Sequence, residues 1–274
     1  MASRRGKSGN LKSVVAELSR RGPHRVLRGD LALAGLPGVL MTPERGLGLP
    51  AVAFGHAWLQ PVHRYLGTLA HLASWGIVVA APATERGPLP SHAGLAADLA
   101  TALDVCSKVR LGPGEISVDP DRLGVAGHSM GAGAAVLLAA QDPRVKAFAG
   151  FATAETSPSA VHAAARVTVP GLFLDAEDDS VTPAASNAEK IAAAWKGPVS
   201  VRTVTGASDI GLLEGRHLGD LFLDGGSEKK TQRVVRALVT GFLLGQLADD
   251  ERFAELASAT AEIKRTTVVD LSAA

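Results

Sequence analysis

Short apolar runs alternate with amphipathic stretches along most of the chain, and this alternation predicts its secondary structure. Six compact apolar runs predict buried strands at residues 51–54, 77–80, 123–126, 147–151, 172–174 and 199–204. Apolar residues at helical spacing predict helices over residues 63–75, 94–109, 132–140 and 231–247. Strands and helices that alternate in this way form a mostly parallel sheet with helices on both faces, so the predicted fold class is α/β.

The first forty residues follow a different pattern. Apolar groups at residues 26–27, 31–33 and 38–41 are separated by Gly and Pro, which predicts two or three short antiparallel strands. Before them, residues 11–18 carry four apolar side chains at helical spacing, which predicts a short amphipathic helix.

Nothing in the sequence marks a second large domain. No internal repeat and no long linker interrupts the alternation. We expect a basic N-terminal arm over residues 1–24, one α/β domain over residues 25–249, and a peripheral segment over residues 250–274. This last segment is more polar and is expected to form a helix and a loose end.

Composition narrows the class of protein. Of 274 residues, 46% are hydrophobic and 20% charged, which is typical of a globular protein. The single cysteine, Cys106, cannot form an internal disulfide, which argues against a secreted, disulfide-rich scaffold. No stretch approaches the ~18 apolar residues of a membrane-spanning helix, and no apolar signal region follows the basic start. We therefore expect a cytoplasmic protein.

Charge is unevenly distributed along the chain. Residues 1–28 contain eight Lys or Arg and one acidic residue, Glu17, whereas the whole chain has a formal net charge of +1. The near-zero total removes the broad basic surface of a duplex-binding protein, and we expect no nucleic-acid partner. The arm has two interpretations: weak association with an anionic surface, or a solvated arm docked by its apolar residues.

Residues 127–131 read Gly-His-Ser-Met-Gly, a G-x-S-x-G pattern in the setting that gives this pattern meaning. They directly follow one predicted strand and precede a predicted helix. Such a turn strains the serine backbone, and its glycines keep Cβ atoms away from the adjoining elements. The hydroxyl then stands above the sheet, where the first N–H groups of the helix point at a developing oxyanion. We therefore expect Ser129 to be a nucleophile.

With this motif the chain resembles the α/β-hydrolase superfamily. More narrowly, it is similar to the lidless esterases related to dienelactone hydrolases, chlorophyllases and cutinase-like polyesterases. The resemblance covers about residues 31–247. It rests on Phe-Gly-His at 54–56, the turn at 127–131, and Ala-Glu-Asp-Asp-Ser-Val-Thr-Pro at 176–183. It implies the order serine, acid, histidine along the chain.

The resemblance places the catalytic acid after the strand at residues 172–174. Asp179 is followed by Ser-Val-Thr-Pro and fits the family pattern best, so it is our candidate. Asp175 lies closest to the strand end and is the second choice. The other carboxylates in this stretch are explained by the start of a helix, whose dipole favours negative charge.

The resemblance also implies two backbone donors for the oxyanion. The loop after the strand at residues 51–54 is expected to supply one of them. The N–H groups of His56 and Met130 are therefore the candidates for the oxyanion hole. The imidazole of His56 is an alternative catalytic base, although it precedes the serine, against the family order.

The histidine is where the chain departs from the family. After its last parallel strand the family typically has Gly, two residues and His, whereas here Gly206 is followed by Ala-Ser and then Asp209. A carboxylate with an ordinary pKa of about 3.9 is a poor base for a serine hydroxyl. The only histidine downstream is His217, between the last strand and the final helix. We expect His217 to be the base, and a surface histidine is the alternative.

The spacing of the elements implies an open site. Only 20 residues separate Phe151 from Leu172, too few for the cap domain that the superfamily commonly inserts there. An open groove lined by apolar side chains is therefore expected. Trp58, Leu59, Tyr65, Met130 and Trp195 are candidates for this lining, and each has core packing as its alternative.

These residues predict a serine esterase that cleaves carboxylic esters of small to medium acyl groups through Ser129, Asp179 and His217. Its activity should rise with pH through about 6–7, where a triad imidazole titrates. A thioesterase or acyltransferase on the same triad, or a non-catalytic binding protein, are the alternatives. The expected partner is a small-molecule ester. No metal-ligand spacing or phosphate-binding loop occurs, so no metal and no cofactor are expected, and no oligomeric state is predicted.

Overall fold

The computed structural model of the protein describes residues 11–215, 228–257 and 261–271. In these residues lie strands β1 (Val26–Asp30), β2 (Gly38–Pro43), β3 (Gly46–Gly55), β4 (Val78–Pro82), β5 (Ile116–His128), β6 (Val145–Phe151), β7 (Gly171–Asp178), β8 (Val199–Ser208) and β9 (Thr266–Val268). The helices are α1 (residues 11–18), α2 (Leu66–Ser74), α3 (His92–Lys108), α4 (Met130–Ala139), α5 (Ala160–Ala164), α6 (Ala188–Ala194) and α7 (Lys229–Leu247). Short 3-10 segments occur at Leu31–Ala34, Val62–Tyr65, Ala184–Ser186 and Glu251–Ala257.

The strands of the described residues form one sheet in the order β1-β2-β4-β3-β5-β6-β7-β8-β9. From β4 through β8 each neighbouring pair is parallel. β2 runs antiparallel to both β1 and β4, and β9 runs antiparallel to β8. This mostly parallel sheet with flanking helices confirms the predicted α/β-hydrolase fold. Because parallel strands align their carboxyl ends, the loops after β3, β5, β7 and β8 meet at one edge of the sheet.

Two apolar layers hold the helices on the two faces of the sheet. Along β3, Val52 and Phe54 pack into the layer that contains α1, α2 and α7, whereas Ala51 and Ala53 pack into the layer that contains α3 to α6. Successive side chains of a strand point to opposite faces, so a strand buried on both faces must be apolar throughout. This explains the unbroken apolar runs in the sequence.

Of the two or three predicted short strands the structure has two, and the run at residues 31–33 is not one of them. Leu31–Ala34 is a 3-10 turn, because the Asp30 side chain accepts a hydrogen bond from the N–H of Ala32 at 2.9 Å and caps the turn. Gly35 then ends it with φ 83°. Only Leu31 of this run is buried, and Leu33 is 92% exposed. Local capping therefore outweighed an apolar run of three residues.

Both ends of the described chain pack on the central domain. Leu18 of α1 is fully buried, and a Cβ built on Gly241 of α7 would lie 2.8 Å from its Cδ1 atom. The predicted amphipathic helix is thus confirmed as a docked element. At the other end, the expectation of a loose segment is wrong for β9, which pairs with Arg202, Thr203 and Val204 of β8. These contacts extend across the expected domain boundaries at residues 24 and 249.

No cap domain interrupts the described sheet. The 152–170 connection between β6 and β7 contains only the short helix α5. The predicted uncapped architecture is therefore confirmed. Within the described ranges, no helix has the length and apolar character needed to cross a membrane.

Candidate active site

The turn between β5 and α4 has the geometry of a nucleophile elbow. β5 ends at His128 and α4 begins at Met130, so Ser129 alone makes the turn. Its backbone has φ 51° and ψ −121°, a strained conformation for a residue with a side chain. The Ser129 side chain is half-buried at the carboxyl end of a central strand. The predicted strand–turn–helix setting is therefore confirmed, and the nucleophilic role of Ser129 stays a prediction.

Glycines allow the loop after β3 (residues 56–61, the oxyanion loop) to touch this elbow. A Cβ on Gly131 would lie 2.2 Å from the carbonyl carbon of Gly55 and 2.5 Å from the carbonyl oxygen of His56. A Cβ on Gly127 would lie 2.5 Å from the nitrogen of Ala132. The first turn of α4 and the oxyanion loop are thus in backbone contact. This contact is what a pair of oxyanion donors at His56 and Met130 would require.

Asp179 is held firmly by its own turn. One carboxylate oxygen accepts the N–H groups of Val181 at 3.0 Å and Thr182 at 2.6 Å, and the other accepts the Thr182 hydroxyl at 2.7 Å. Burial raises the pKa of Asp175 on β7 and of Asp209 after β8, and the charge of Asp179 raises both further. Asp179 directly follows β7, whose last residue Asp178 pairs with Ser208 of β8, so it lies at the carboxyl end of these neighbouring strands, where a triad acid is expected.

Asp175, the second candidate for the acid, has a different environment. Its side chain is buried, and neither carboxylate oxygen has a hydrogen-bond partner in the described part of the chain. Burial, reinforced by the nearby charges of Asp179 and Glu189, raises its pKa to about 7. A carboxyl group that is hard to ionise is poorly suited to stabilising an imidazolium. This geometry favours Asp179.

Position 209 is brought next to the elbow. The backbone carbonyl of Asp209 accepts a hydrogen bond from Nε2 of His128 at 2.8 Å. Burial, and then the charge of Asp179, raise the pKa of the Asp209 carboxyl group. The position at which the resemblance implies a histidine is thus occupied by a half-buried aspartate near the candidate acid. His217, the predicted base, lies outside the described residues.

Glu214 anchors the end of the segment that follows β8 (residues 209–215). Its carboxylate accepts the N–H groups of Gly67 at 2.7 Å and Thr68 at 2.8 Å, which belong to the first turn of α2. It also forms an ion pair with Arg236 of α7 at 2.6 Å. A carboxylate at a helix N-terminus satisfies free N–H groups and interacts favourably with the helix dipole. The 209–215 segment is therefore fixed against two helices.

Replacing Glu214 by Gln is expected to lower the free energy of unfolding by about 2 kcal/mol, because a half-buried Arg236 loses its counter-ion. Urea denaturation followed by circular dichroism measures this change. Glu262→Gln, which removes an exposed carboxylate, is the matched control. An unchanged transition midpoint for Glu214→Gln would show that the anchor contributes nothing.

The two histidines beside the elbow are not available as bases. Both ring nitrogens of His56 contact carbonyl oxygens, Nδ1 that of Ala57 at 2.9 Å and Nε2 that of Thr84 at 2.8 Å. Both ring nitrogens of His128 are also occupied. Burial lowers the pKa of His128 to about 4, so its ring is neutral. A base needs a free nitrogen that faces the serine hydroxyl, so these contacts disfavour the alternative of His56 as base.

Of the five side chains predicted to line the groove, two are exposed and three are buried. Trp58 and Leu59 of the oxyanion loop are exposed by 49% and 47%. Tyr65, Met130 and Trp195 are buried and belong to the core, as their alternative interpretation had it. Large apolar side chains prefer the interior unless a loop carries them outward.

Two further apolar side chains near the site were missed by the sequence interpretation. Leu89 is 95% exposed, and its neighbour Pro88 accepts a hydrogen bond from the Trp58 indole at 3.2 Å. Val181 is 67% exposed and lies two residues after Asp179. Both lie on loops without periodicity, so nothing in the sequence pattern showed that they would face solvent.

The described residues offer no cluster of three metal-ligating side chains.

Residues 46–196, more than half of the chain, match a family model described as PET hydrolase-like. The chain is also 32% identical over 143 residues to a protein named Cutinase est1 from Thermobifida alba. That alignment covers 52% of this chain and 46% of the relative, so the chain spans about half the length of the curated relative it matches. The family match contains both Ser129 and Asp179 and ends before Asp209. The chain belongs to the PET hydrolase-like family.

Proposed function

We propose that the protein hydrolyses carboxylic esters of small to medium acyl groups through an acyl-enzyme on Ser129. The observation that carries this proposal is the strained, half-buried serine between β5 and α4. A residue with a side chain is held at such φ and ψ values only where the surrounding structure enforces it, and active sites are where this occurs most often. Membership of the PET hydrolase-like family supports the same reaction, since its relatives are ester hydrolases.

In the proposed reaction, the Ser129 hydroxyl oxygen attacks the ester carbonyl and its proton passes to His217. The N–H groups of His56 and Met130 stabilise the oxyanion, and loss of one such donor typically costs about 3 kcal/mol. His217 then protonates the departing alcohol. Water, deprotonated by the same ring, releases the acid and restores Ser129. Asp179 orients the imidazole and stabilises its charged form.

The base is assigned to His217 on two grounds. The ring nitrogens of His56 and His128 are occupied, as described above. In addition, Glu214, three residues before His217, donates its N–H to the carbonyl oxygen of Arg64 at 2.8 Å, and the next residue, Tyr65, is hydrogen-bonded to His128 of the elbow. Three residues span at most about 11 Å, and this short separation from the anchor supports His217 as the base.

Exposed apolar side chains support an ester with an apolar acyl or alcohol group. Trp58, Leu59, Leu89 and Val181 are all substantially exposed around the loops that carry the site. Exposed apolar patches of this kind commonly mark binding grooves. Since no cap domain covers the described sheet, such a groove would be open to substrates of varied length.

A second candidate function is supported by Asp209. If His217 does not reach the serine, the protein lacks a base and would bind an apolar ligand without turnover. A thioesterase or acyltransferase would share every feature of the elbow and differ only in the groove.

Two further proposals concern the setting of the protein. Cys106 is buried and not disulfide-bonded, which supports a cytoplasmic location. The exposed Lys12 and the basic residues before it support weak association of the arm with an anionic surface, whereas the burial of Leu11 and Leu18 favours the docked interpretation.

A fluorophosphonate probe tests the proposed function, because it labels only an activated serine. We expect the wild-type protein to be labelled, Ser129→Ala to be unlabelled, and Ser159→Ala to be labelled as the wild type is. Ser159 is the matched control, since its hydroxyl oxygen accepts the N–H of His162 and caps α5. Absent labelling of the wild type, or undiminished labelling of Ser129→Ala, would contradict the proposed nucleophile.

A further inference from the structure

We propose that Tyr65 and His128 are positioning residues that hold the oxyanion loop and the 209–215 segment on the elbow through one buried hydrogen-bond chain. This proposal rests on the proposed function for its effect on catalysis. The chain has three links: the N–H of Ala57 to the Tyr65 hydroxyl at 3.1 Å, that hydroxyl to Nδ1 of His128 at 2.9 Å, and Nε2 of His128 to the carbonyl oxygen of Asp209 at 2.8 Å.

The partners fix the direction of every hydrogen bond. The carbonyl oxygen of Asp209 only accepts, so Nε2 of His128 carries the proton. Nδ1 of the neutral ring then accepts, and the Tyr65 hydroxyl donates to it. The oxygen of Tyr65 is left to accept the N–H of Ala57. Each donor has an acceptor, and a single tautomer of His128 satisfies the whole chain.

The surroundings keep both rings in these protonation states. Tyr65 and His128 are 0% and 2% exposed, and burial raises the pKa of Tyr65 and lowers that of His128. The charged or titratable groups that act on His128 are Asp179, which favours its protonation, and Arg64 and His56, which oppose it. The cost of burial outweighs the attraction of Asp179, so the ring stays neutral in the chain.

The ends of the chain are the parts of the site that most need accurate placement. Ala57 directly follows His56, whose N–H is a proposed oxyanion donor. Asp209 begins the segment that leads to His217, and His128 directly precedes Ser129. Donors and reacting groups displaced by about 1 Å can lower the rate about 10²-fold. One buried chain thus joins the oxyanion loop, the nucleophile and the approach to the proposed base.

Tyr65→Phe is a clean test because it removes hydrogen bonds and retains the packing. The Tyr65 ring contacts Phe54 at a centroid distance of 5.1 Å and His128 at 5.8 Å, and a phenyl ring can keep both contacts. Trp195→Phe is the matched control. Its indole N–H donates to the carbonyl of Val169 at 2.8 Å beside the first residue of β7, at the opposite edge of the sheet.

With a soluble aryl ester, p-nitrophenyl butyrate, we expect Tyr65→Phe to lower kcat about 10- to 100-fold and to leave KM nearly unchanged, because the misplaced oxyanion donor acts in the transition state. Trp195→Phe should lose comparable stability and keep its kcat. Equal losses of kcat in the two variants, or wild-type kcat in Tyr65→Phe, would overturn the proposal.

Amide hydrogen exchange tests the placement of the loops without requiring turnover. In Tyr65→Phe we expect faster exchange at Ala57, and also at Gly211 and Leu213 on the other side of the elbow. The N–H of Gly211 donates to the carbonyl oxygen of Ser208, and that of Leu213 donates to the carbonyl oxygen of Ile210. Faster exchange at Ala57 alone would show that the chain does not couple the two loops, and would overturn the proposal even in an active enzyme. If the wild type neither turns over nor labels, the proposed function fails, while the exchange result still decides whether the loops are coupled.

Discussion

His217→Ala is expected to lower kcat on p-nitrophenyl butyrate by about 10²- to 10⁴-fold, the usual contribution of a general base. Adding Asp209→His to this variant should restore a large part of the loss. The restored activity should rise with pH through about 6–7, because an imidazole must be neutral to accept the serine proton. Initial rates measured between pH 5 and 9 for the single and double variants give both results.

The rescue is expected because of where the structure holds residue 209. The carbonyl oxygen of Asp209 accepts a hydrogen bond at 2.8 Å from His128, which directly precedes the nucleophile. Burial, and then repulsion by the charge of Asp179, raise the pKa of the Asp209 carboxyl group. An imidazole at this position would replace a repelling carboxylate beside Asp179 with a group that can donate to it. The substitution thus removes one unfavourable contact and supplies a base.

The controls separate the possible bases. Ser129→Ala combined with Asp209→His must stay inactive, and His24→Ala, which removes a histidine remote in the chain from the elbow, should keep full activity. Full activity of His217→Ala would remove His217 from the mechanism. An inactive wild type that Asp209→His makes active would show that the protein lacks a base and favour the binding function.

Asp175→Asn is expected to raise the free energy of unfolding at pH 8.5. The change caused by the substitution should be up to about 4 kcal/mol more favourable at pH 8.5 than at pH 4. The pKa of Asp175 is about 7 in the folded state, so the folded protein binds this proton more tightly than the unfolded chain does. Its contribution to stability is present in full below pH ~4 and is lost as the pH rises through about 7. The neutral amide has no such loss.

Urea denaturation of both proteins at pH 4, 6, 7 and 8.5 measures this difference. Asp178→Asn is the matched control, because Asp178 is exposed at the end of the same strand. A stability difference between Asp175→Asn and the wild type that does not change with pH would contradict the assignment. It would mean that Asp175 ionises in the folded protein as easily as in the unfolded one.

The sequence predicted those parts of the molecule that depend on neighbouring residues. The elbow at residues 127–131 was recognisable because its glycines and its position between a strand and a helix are written in one short stretch. Asp179 was recognisable because the family pattern that it fits also lies in one short stretch, and its hydrogen bonds reach only Val181 and Thr182. Most strands were found because burial on two faces requires apolar residues throughout.

Features built from distant residues could not be predicted in this way. Tyr65 and His128 are 63 positions apart, and neither periodicity nor spacing shows that their side chains meet. The buried Asp175 was also out of reach, because a carboxyl group without a partner contradicts the usual rule for buried polar groups. The three residues of β9 are β-branched and favour a strand, but so short a run predicts no strand without the pairing that β8 supplies.

The short strand β9 also has a consequence for how the protein behaves at high concentration. Without it, β8 would present the N–H and C=O groups of Arg202, Thr203 and Val204 at an open rim, ready to pair with another molecule. The opposite rim, β1, carries Arg28 and Asp30, whose charges discourage such pairing. By covering the edge of β8, the C-terminal segment therefore protects the protein from edge-to-edge aggregation, independently of any chemistry at the elbow.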